Sequence, residues 1–217
     1  MLEAVIFDFD GVIADTPKHY FKHMKHVLHK HNAKISDDEI SHLVGFSLGE
    51  KLKVINKKYG LEIKLEEFVQ NTQDSAKQDM YELLKFDKDL EALLKALEKK
   101  NVKMAIASNN SKKIIMRVLN SFEITHHFEA VVSGDDVKKY KPFPDVYINA
   151  AKLLGVRVSN SIGIEDTSVG LSAAHAAGLK TVVIPNEFAS KHDFSKANLI
   201  VKSFNDLSVK KLEGLVK

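Results

Sequence analysis

Short apolar, β-branched runs punctuate the chain at Ala4–Phe7, Met104–Ala107, Ala130–Val132, Ser161–Ile164 and Thr181–Ile184. Runs of this length, set between helical stretches, are what a parallel sheet buried on both faces requires. Between them the period changes. Lys112–Ser121 carries Ile114, Ile115, Val118 and Leu119 at helical spacing, with Phe122 just beyond and Ser111 available as N-cap. Asp145–Leu154 and Ser168–Ala177 repeat the pattern, and Gly155 and Gly178 follow them as C-terminal stops. Strands alternating with helices predict an α/β, doubly wound parallel-sheet domain. Such sheets bind ligands at the carboxyl ends of the strands, where strand order reverses.

The stretch between the first two runs breaks this alternation. A crossover between parallel strands needs about a dozen residues. Here residues 17–85 hold no convincing strand and read as amphipathic helices over Lys18–His31, Asp37–Val44, Leu48–Tyr59 and Leu65–Leu84. Leu90–Lys99 then serves as the ordinary crossover helix. The expected organisation is a core of residues 1–16 and 86–217, with residues 17–85 as a helical cap over the strand ends. Lys210–Lys217 reads as a packed amphipathic tail.

Composition narrows the function. The 217 residues are 44% apolar, which permits a sizeable core. Lys plus Arg number 32 against 29 Asp plus Glu, and Arg117 and Arg157 alone are Arg, so a nucleic-acid partner is not expected. The absence of cysteine excludes disulfides, thiolate metal sites and Cys nucleophiles. No segment approaches the ~20 apolar residues of a membrane span, and the opening MLEAVIFDFDG lacks the basic region of a signal peptide. The expectation is a cytoplasmic monomer without membrane or nucleic-acid partners.

Each strand run ends in polar residues that could share one site. After the first come Asp8-Phe9-Asp10-Gly11. Side chains two apart in extended chain point the same way, so Asp8 and Asp10 project together while Phe9 turns to the core. Adjacent carboxylates repel, which leaves a metal site or a nucleophile–acid pair as the sensible outcomes, against two solvated turn acids. Ser108, Asn109 and Asn110 follow the second run and suit phosphate oxygens, though Ser and Asn are also ordinary turn residues. Lys141, held between Tyr140 and Pro142-Phe143-Pro144, offers a fixed point charge or else belongs to a solvated basic loop with Lys138 and Lys139. Glu165 and Asp166 end the fourth run, where acids either bind a cation with Asp8 or cap the next helix. His19, His23 and His26 share one face of the first insert helix, a solvated Lys-rich face rather than a metal site.

In order and spacing, Asp8-Phe9-Asp10-Gly11-Val12, Ser108-Asn109, Lys141-Pro142 and Gly163-Ile164-Glu165-Asp166 resemble the four motifs of the haloacid dehalogenase superfamily. The helical insert resembles the cap of its β-phosphoglucomutase and sugar-phosphate phosphatase subgroup. The resemblance implies an Mg²⁺-dependent phosphatase acting on a small phosphorylated metabolite through an aspartyl-phosphate. Asp8 would be nucleophile and metal ligand, and Asp10 general acid and base, its backbone carbonyl a further metal ligand. Glu165 and Asp166 would complete the metal set. Lys141 would neutralise charge, and Ser108 and Asn109 would hold the phosphoryl oxygens. Thr16 and His19, at the cap entrance, are candidate substrate contacts. The rival is a sugar-phosphate mutase. Relatives of that kind carry a His where this chain has Tyr20 and an Arg in the first cap loop, whereas Gly45-Phe46-Ser47-Leu48-Gly49-Glu50 has none. Lys51 and Lys53 are the nearby cations.

Overall fold

The computed structural model describes residues 1–44, 46, 48–68, 84–189 and 191–216. Among them six parallel strands form one sheet: β1 (Ala4–Phe7), β2 (Lys103–Ala107), β3 (Ala130–Val132), β4 (Ser161–Glu165), β5 (Lys180–Val183) and β6 (Leu199–Ile200). Their order is β3-β2-β1-β4-β5-β6. Phe7 lies beside Ile106 of β2 and Ile164 of β4, so the order reverses at β1. That reversal is where a doubly wound sheet opens a crevice. The Asp8 N–H donates to the Ile164 carbonyl at 2.9 Å, carrying the β1–β4 ladder to the mouth of the crevice. All five apolar runs are strands. The edge strand β6, two residues long, lies in a further short apolar run, Leu199-Ile200-Val201, beyond the five predicted.

Between β1 and β2 the chain forms α1 (Thr16–Lys30), α2 (Asp37–Ser41) and α3 (Leu48–Tyr59). Ser36 starts α2 with a capping box: its Oγ accepts from the Glu39 N–H at 3.3 Å, and its own N–H donates to Glu39 Oε2 at 2.9 Å. The helix stops at Ser41, short of the predicted Val44. The Ser41 hydroxyl and the His42 ring both reach the Asp38 carbonyl, at 2.6 and 2.7 Å, and the next bonds tighten to three-residue turns at Leu43 and Val44. The helix expected over 65–84 falls, beyond residue 68, outside the described residues. Phe21, Met24, Leu28, Ile40, Leu52 and Ile55 give this segment its own apolar core.

The remaining helices are α4 (Lys88–Lys99), α5 (Lys112–Ser121), α6 (Asp145–Leu154), α7 (Ser168–Ala176) and α8 (Val209–Leu215). Asp87 caps α4 through the N–H groups of Asp89 and Leu90, which is why the helix begins ahead of the predicted Leu90. Alternating strand residues divide the core in two. Val5, Phe7, Met104, Ile106, Ile162 and Ile164 pack on α4, α5 and α8. Ala4, Ile6, Ala105, Ala107 and Ala130 face α6 and α7. The small side chains of the second face let α6 lie close to the sheet, with Tyr147 fully buried against it.

Leu94, wholly buried on α4, anchors the first face. Leu94→Ala should cost about 2–5 kcal/mol through lost transfer energy and a residual cavity. A lower urea midpoint at unchanged slope is the expected signature.

Candidate active site

Asp8 sits just past β1 and is nearly buried. The Lys141 ammonium donates to Asp8 Oδ1 at 2.8 Å and to Glu165 Oε1 at 2.7 Å, so one cation bridges the ends of β1 and β4. Burial alone would lower the Lys141 pKa, but Asp8 and Glu165 outweigh it and hold the ammonium above its ordinary value. The loop carrying Lys141 is fixed by Asn109, whose Oδ1 accepts the Lys141 N–H at 2.8 Å. From α6 the Tyr147 hydroxyl donates to Glu165 Oε1 at 2.5 Å.

Phe9 turns into the core, as its alternation predicts, and Asp10 emerges beside Asp8. The Thr16 hydroxyl donates to Asp10 Oδ1, and the Asn110 amide lies 3.2 Å from both carboxylate oxygens. Burial, and then the charge of Asp8, raise the Asp10 pKa against those hydrogen bonds. An upward shift moves a carboxyl toward the range in which a general acid works. Gly11 makes the turn that follows, at φ +84°; a Cβ there would stand 1.8 Å from Asp166 Oδ2. A Cβ at Gly170 would stand 1.9 Å from Glu165 Oε2. The backbone therefore closes tightly on both acids.

Asp8, Glu165 and Asp166 each offer a carboxylate oxygen within 4.8 Å of the others, and all three residues are buried. Burial raises Asp166 well above the ordinary carboxylate range, with Asp8 and Glu165 adding repulsion. Among the described residues, Asp166 Oδ1 is buried without a hydrogen-bond partner, while Oδ2 accepts from Asn186 at 2.5 Å. An orphaned anionic oxygen among like charges fits a cation, and an all-oxygen set fits a hard divalent one. The Asp10 side chain lies outside this grouping; the expectation for it concerned its backbone carbonyl. Among the described residues the insert's histidines form no comparable cluster.

The other candidates fall nearby in different roles. Buried Ser108 accepts from the Asn110 N–H at 3.0 Å. Thr16 serves Asp10. His19, in the first turn of α1, acts electrostatically on Asp15. Lys51 of α3 lies with its ammonium 5.4 Å from the centre of the Phe21 ring, and its charge is felt by Asp10. Asn110, which the sequence groups with Ser108 and Asn109 as suited to phosphate oxygens, reaches Asp10 here. Two further residues have roles with no sequence signature: Tyr147 follows the apolar pattern of α6, and Asn186 follows β5 with no local signature.

The family model for haloacid dehalogenase-like hydrolases matches residues 5–184. The chain is 30% identical over 220 residues to the β-phosphoglucomutase of Bacillus subtilis, covering 97% of this chain and 94% of that one. It is 28% identical over 181 residues to a phosphorylated carbohydrates phosphatase of Thermotoga maritima, covering 83% and 84%. The crystal structure of a β-phosphoglucomutase from Clostridium difficile superposes with a TM-score of 0.84 at 30% identity, over 100% of this chain and 97% of that one. The chain belongs to the haloacid dehalogenase-like hydrolases, and it is an enzyme of the phosphoric monoester hydrolase kind.

Asp166 is raised in the folded chain, so its protonated form carries stability. That stability is full below the ordinary carboxylate range and is lost as pH rises through the raised pKa. Without divalent metal, Asp166→Asn should therefore melt above the wild type at pH 8 and lose less stability than it between pH 5 and 8. Thermal unfolding in a chelator checks both.

Proposed function

We propose that the chain is an Mg²⁺-dependent phosphatase of a small phosphorylated carbohydrate or similar metabolite, working through an aspartyl-phosphate on Asp8. The observation that carries this reading is the pairing of two carboxyls with opposite duties. Asp8 is held by Lys141 at the mouth of the crevice, and Asp10, two residues on, is held by Thr16 and Asn110 with its pKa raised. In the first step an Asp8 oxygen attacks phosphorus and the ester P–O bond breaks, while the Asp10 proton passes to the leaving oxygen. In the second, water attacks the phosphoryl group, Asp10 takes a water proton, and inorganic phosphate leaves with Asp8 restored. Lys141 offsets the negative charge that gathers on Asp8 and the phosphoryl oxygens. Asp8, Glu165 and Asp166 would hold Mg²⁺, which when bound would neutralise the same oxygens. Residues 17–85 would act as the cap, excluding bulk water and selecting the metabolite. The carbohydrate assignment rests on the names of the two relatives.

A mutase is the second reading, and Lys51 favours it. The absence of Arg from the first insert loop argues against an anchor for a second phosphate. Lys51, however, brings a cation of the insert within electrostatic reach of Asp10 and Asp166, and it could receive one.

Asp8→Asn should abolish turnover with the fold intact. Asp10→Asn should lower turnover about 10²–10⁴-fold; with aryl phosphates, whose leaving group needs no proton, a first-turnover burst of the phenol should persist while the second, water-attacking step stays slow. Exhaustive chelation should stop the reaction, and full activity without metal would remove the Mg²⁺ assignment. Product analysis separates the two readings. A phosphatase given β-glucose 1-phosphate and a trace of glucose 1,6-bisphosphate releases inorganic phosphate, whereas glucose 6-phosphate without matching phosphate identifies a mutase.

A further inference from the structure

The loop that follows β5 touches both halves of the molecule. On the sheet side, Asn186 Nδ2 donates to Asp166 Oδ2 at 2.5 Å, and the Ser168 N–H, at the start of α7, donates to His192 Nδ1 at 3.1 Å. On the insert side, the Phe188 ring packs on Phe21 of α1 with centroids 5.3 Å apart. His192 Nε2 lies 3.0 Å from the Ser41 carbonyl at the end of α2, and Lys191 pairs with Asp38 of α2. Because Nδ1 accepts from a backbone N–H, the ring proton must sit on Nε2, which then donates to Ser41. The exposed Lys191–Asp38 pair contributes little. Phe188 and His192 therefore make the joint.

The two sides meet within one side chain. Asn186 Oδ1 accepts the Phe188 N–H at 2.7 Å while its amide nitrogen holds Asp166. The amide cannot turn to follow one partner without releasing the other. A continuous path runs from Asp166 through Asn186 to Phe188 and Phe21, and the Lys51 ammonium lies near that same ring.

We propose that this loop is a clasp in which Asn186 is a positioning residue for Asp166, and that seating Phe188 and His192 on the insert sets the orientation of that carboxylate. The clasp rests on the assignment of Asp166 as a metal ligand. It makes the affinity of the acidic site for a divalent ion depend on contacts distant from the ion.

Mn²⁺ titration followed by electron paramagnetic resonance, with Mg²⁺ as competitor, tests this on the full chain without turnover. Asn186→Ala should weaken Mn²⁺ binding by about 10–100-fold, the usual effect of removing a hydrogen-bond partner from a ligand. Phe188→Ala and His192→Ala touch no ligand, yet each should weaken it in the same direction and speed amide exchange in α2. Their loss of kcat should be recovered at saturating Mg²⁺, which a general loss of folding would not allow. His192 is only half-buried, so His192→Ala keeps the test available should Phe188→Ala not fold. Unchanged Mn²⁺ affinity in both of these variants overturns the clasp, and unchanged affinity in Asn186→Ala overturns the positioning role. A wild-type chain that binds no Mn²⁺ overturns the metal assignment and the clasp with it; Mn²⁺ binding unaltered by these variants leaves that assignment standing and removes the clasp alone.

Discussion

Three carboxylates share a buried space in which their oxygens lie within 4.8 Å of one another, and a single ammonium, that of Lys141, bonds two of them directly. Repulsion between like charges grows as water is excluded, and burial penalises each charge separately. In the metal-free chain, burial first and then the neighbouring acids push Glu165 and Asp166 upward, against the pull of Lys141. A divalent ion bound there, as proposed, would answer the same repulsion without protons. On the proposed reading, one constraint would select the ligand and prepare the reaction together. It also explains the backbone, since any side chain at Gly11 or Gly170 would invade the oxygens that must converge.

The rest of the molecule sustains this expensive arrangement. Two apolar layers on the faces of the sheet fix the strand ends to a fraction of their own spacing, because close-packed interiors yield little. The acids come from β1 and β4, which are neighbours only because the strand order reverses there. The alanine-rich face supplies the second support. With bulky residues in place of Ala105, Ala107 and Ala130, α6 would stand off the sheet and the Tyr147 hydroxyl would lose Glu165.

How much of this the sequence discloses depends on whether a residue's role is local. Asp8, Asp10, Lys141, Glu165 and Asp166 were legible because each interrupts an apolar run or a proline-fixed loop with a charge that burial would otherwise forbid. Tyr147 was not, because its spacing satisfies the helix and its hydroxyl matters through Glu165, 18 residues away, and through the Lys141 ammonium. Asn186 gave less still: the distance to Asp166 is closed by the fold, and an Asn after a strand is ordinary turn chemistry. The fold followed the same division. Long periodic helices and buried strands were readable. β6 lies in Leu199-Ile200-Val201, an apolar run as short as that of β3 but with no periodic helix leading into it to mark it as a strand, and α2 ended early through competition of Ser41 and His42 for the Asp38 carbonyl.

Thr16 links the insert to the proton chemistry. It is the first residue of α1, and its hydroxyl donates to Asp10, one of the bonds that restrain the upward shift of that carboxyl. A displacement of α1 that withdrew the hydroxyl would let burial and Asp8 raise Asp10 further, and its proton would be held more tightly. Return of α1 would restore the bond and make Asp10 the stronger acid at the moment a leaving oxygen needs a proton. If Asp10 gives and takes back a proton as proposed, the helix that opens the insert would tune it, and seating of the insert and acid strength would be coupled through one hydroxyl. On the proposed reading such coupling would favour transfer only with the insert seated, where stray water would be excluded.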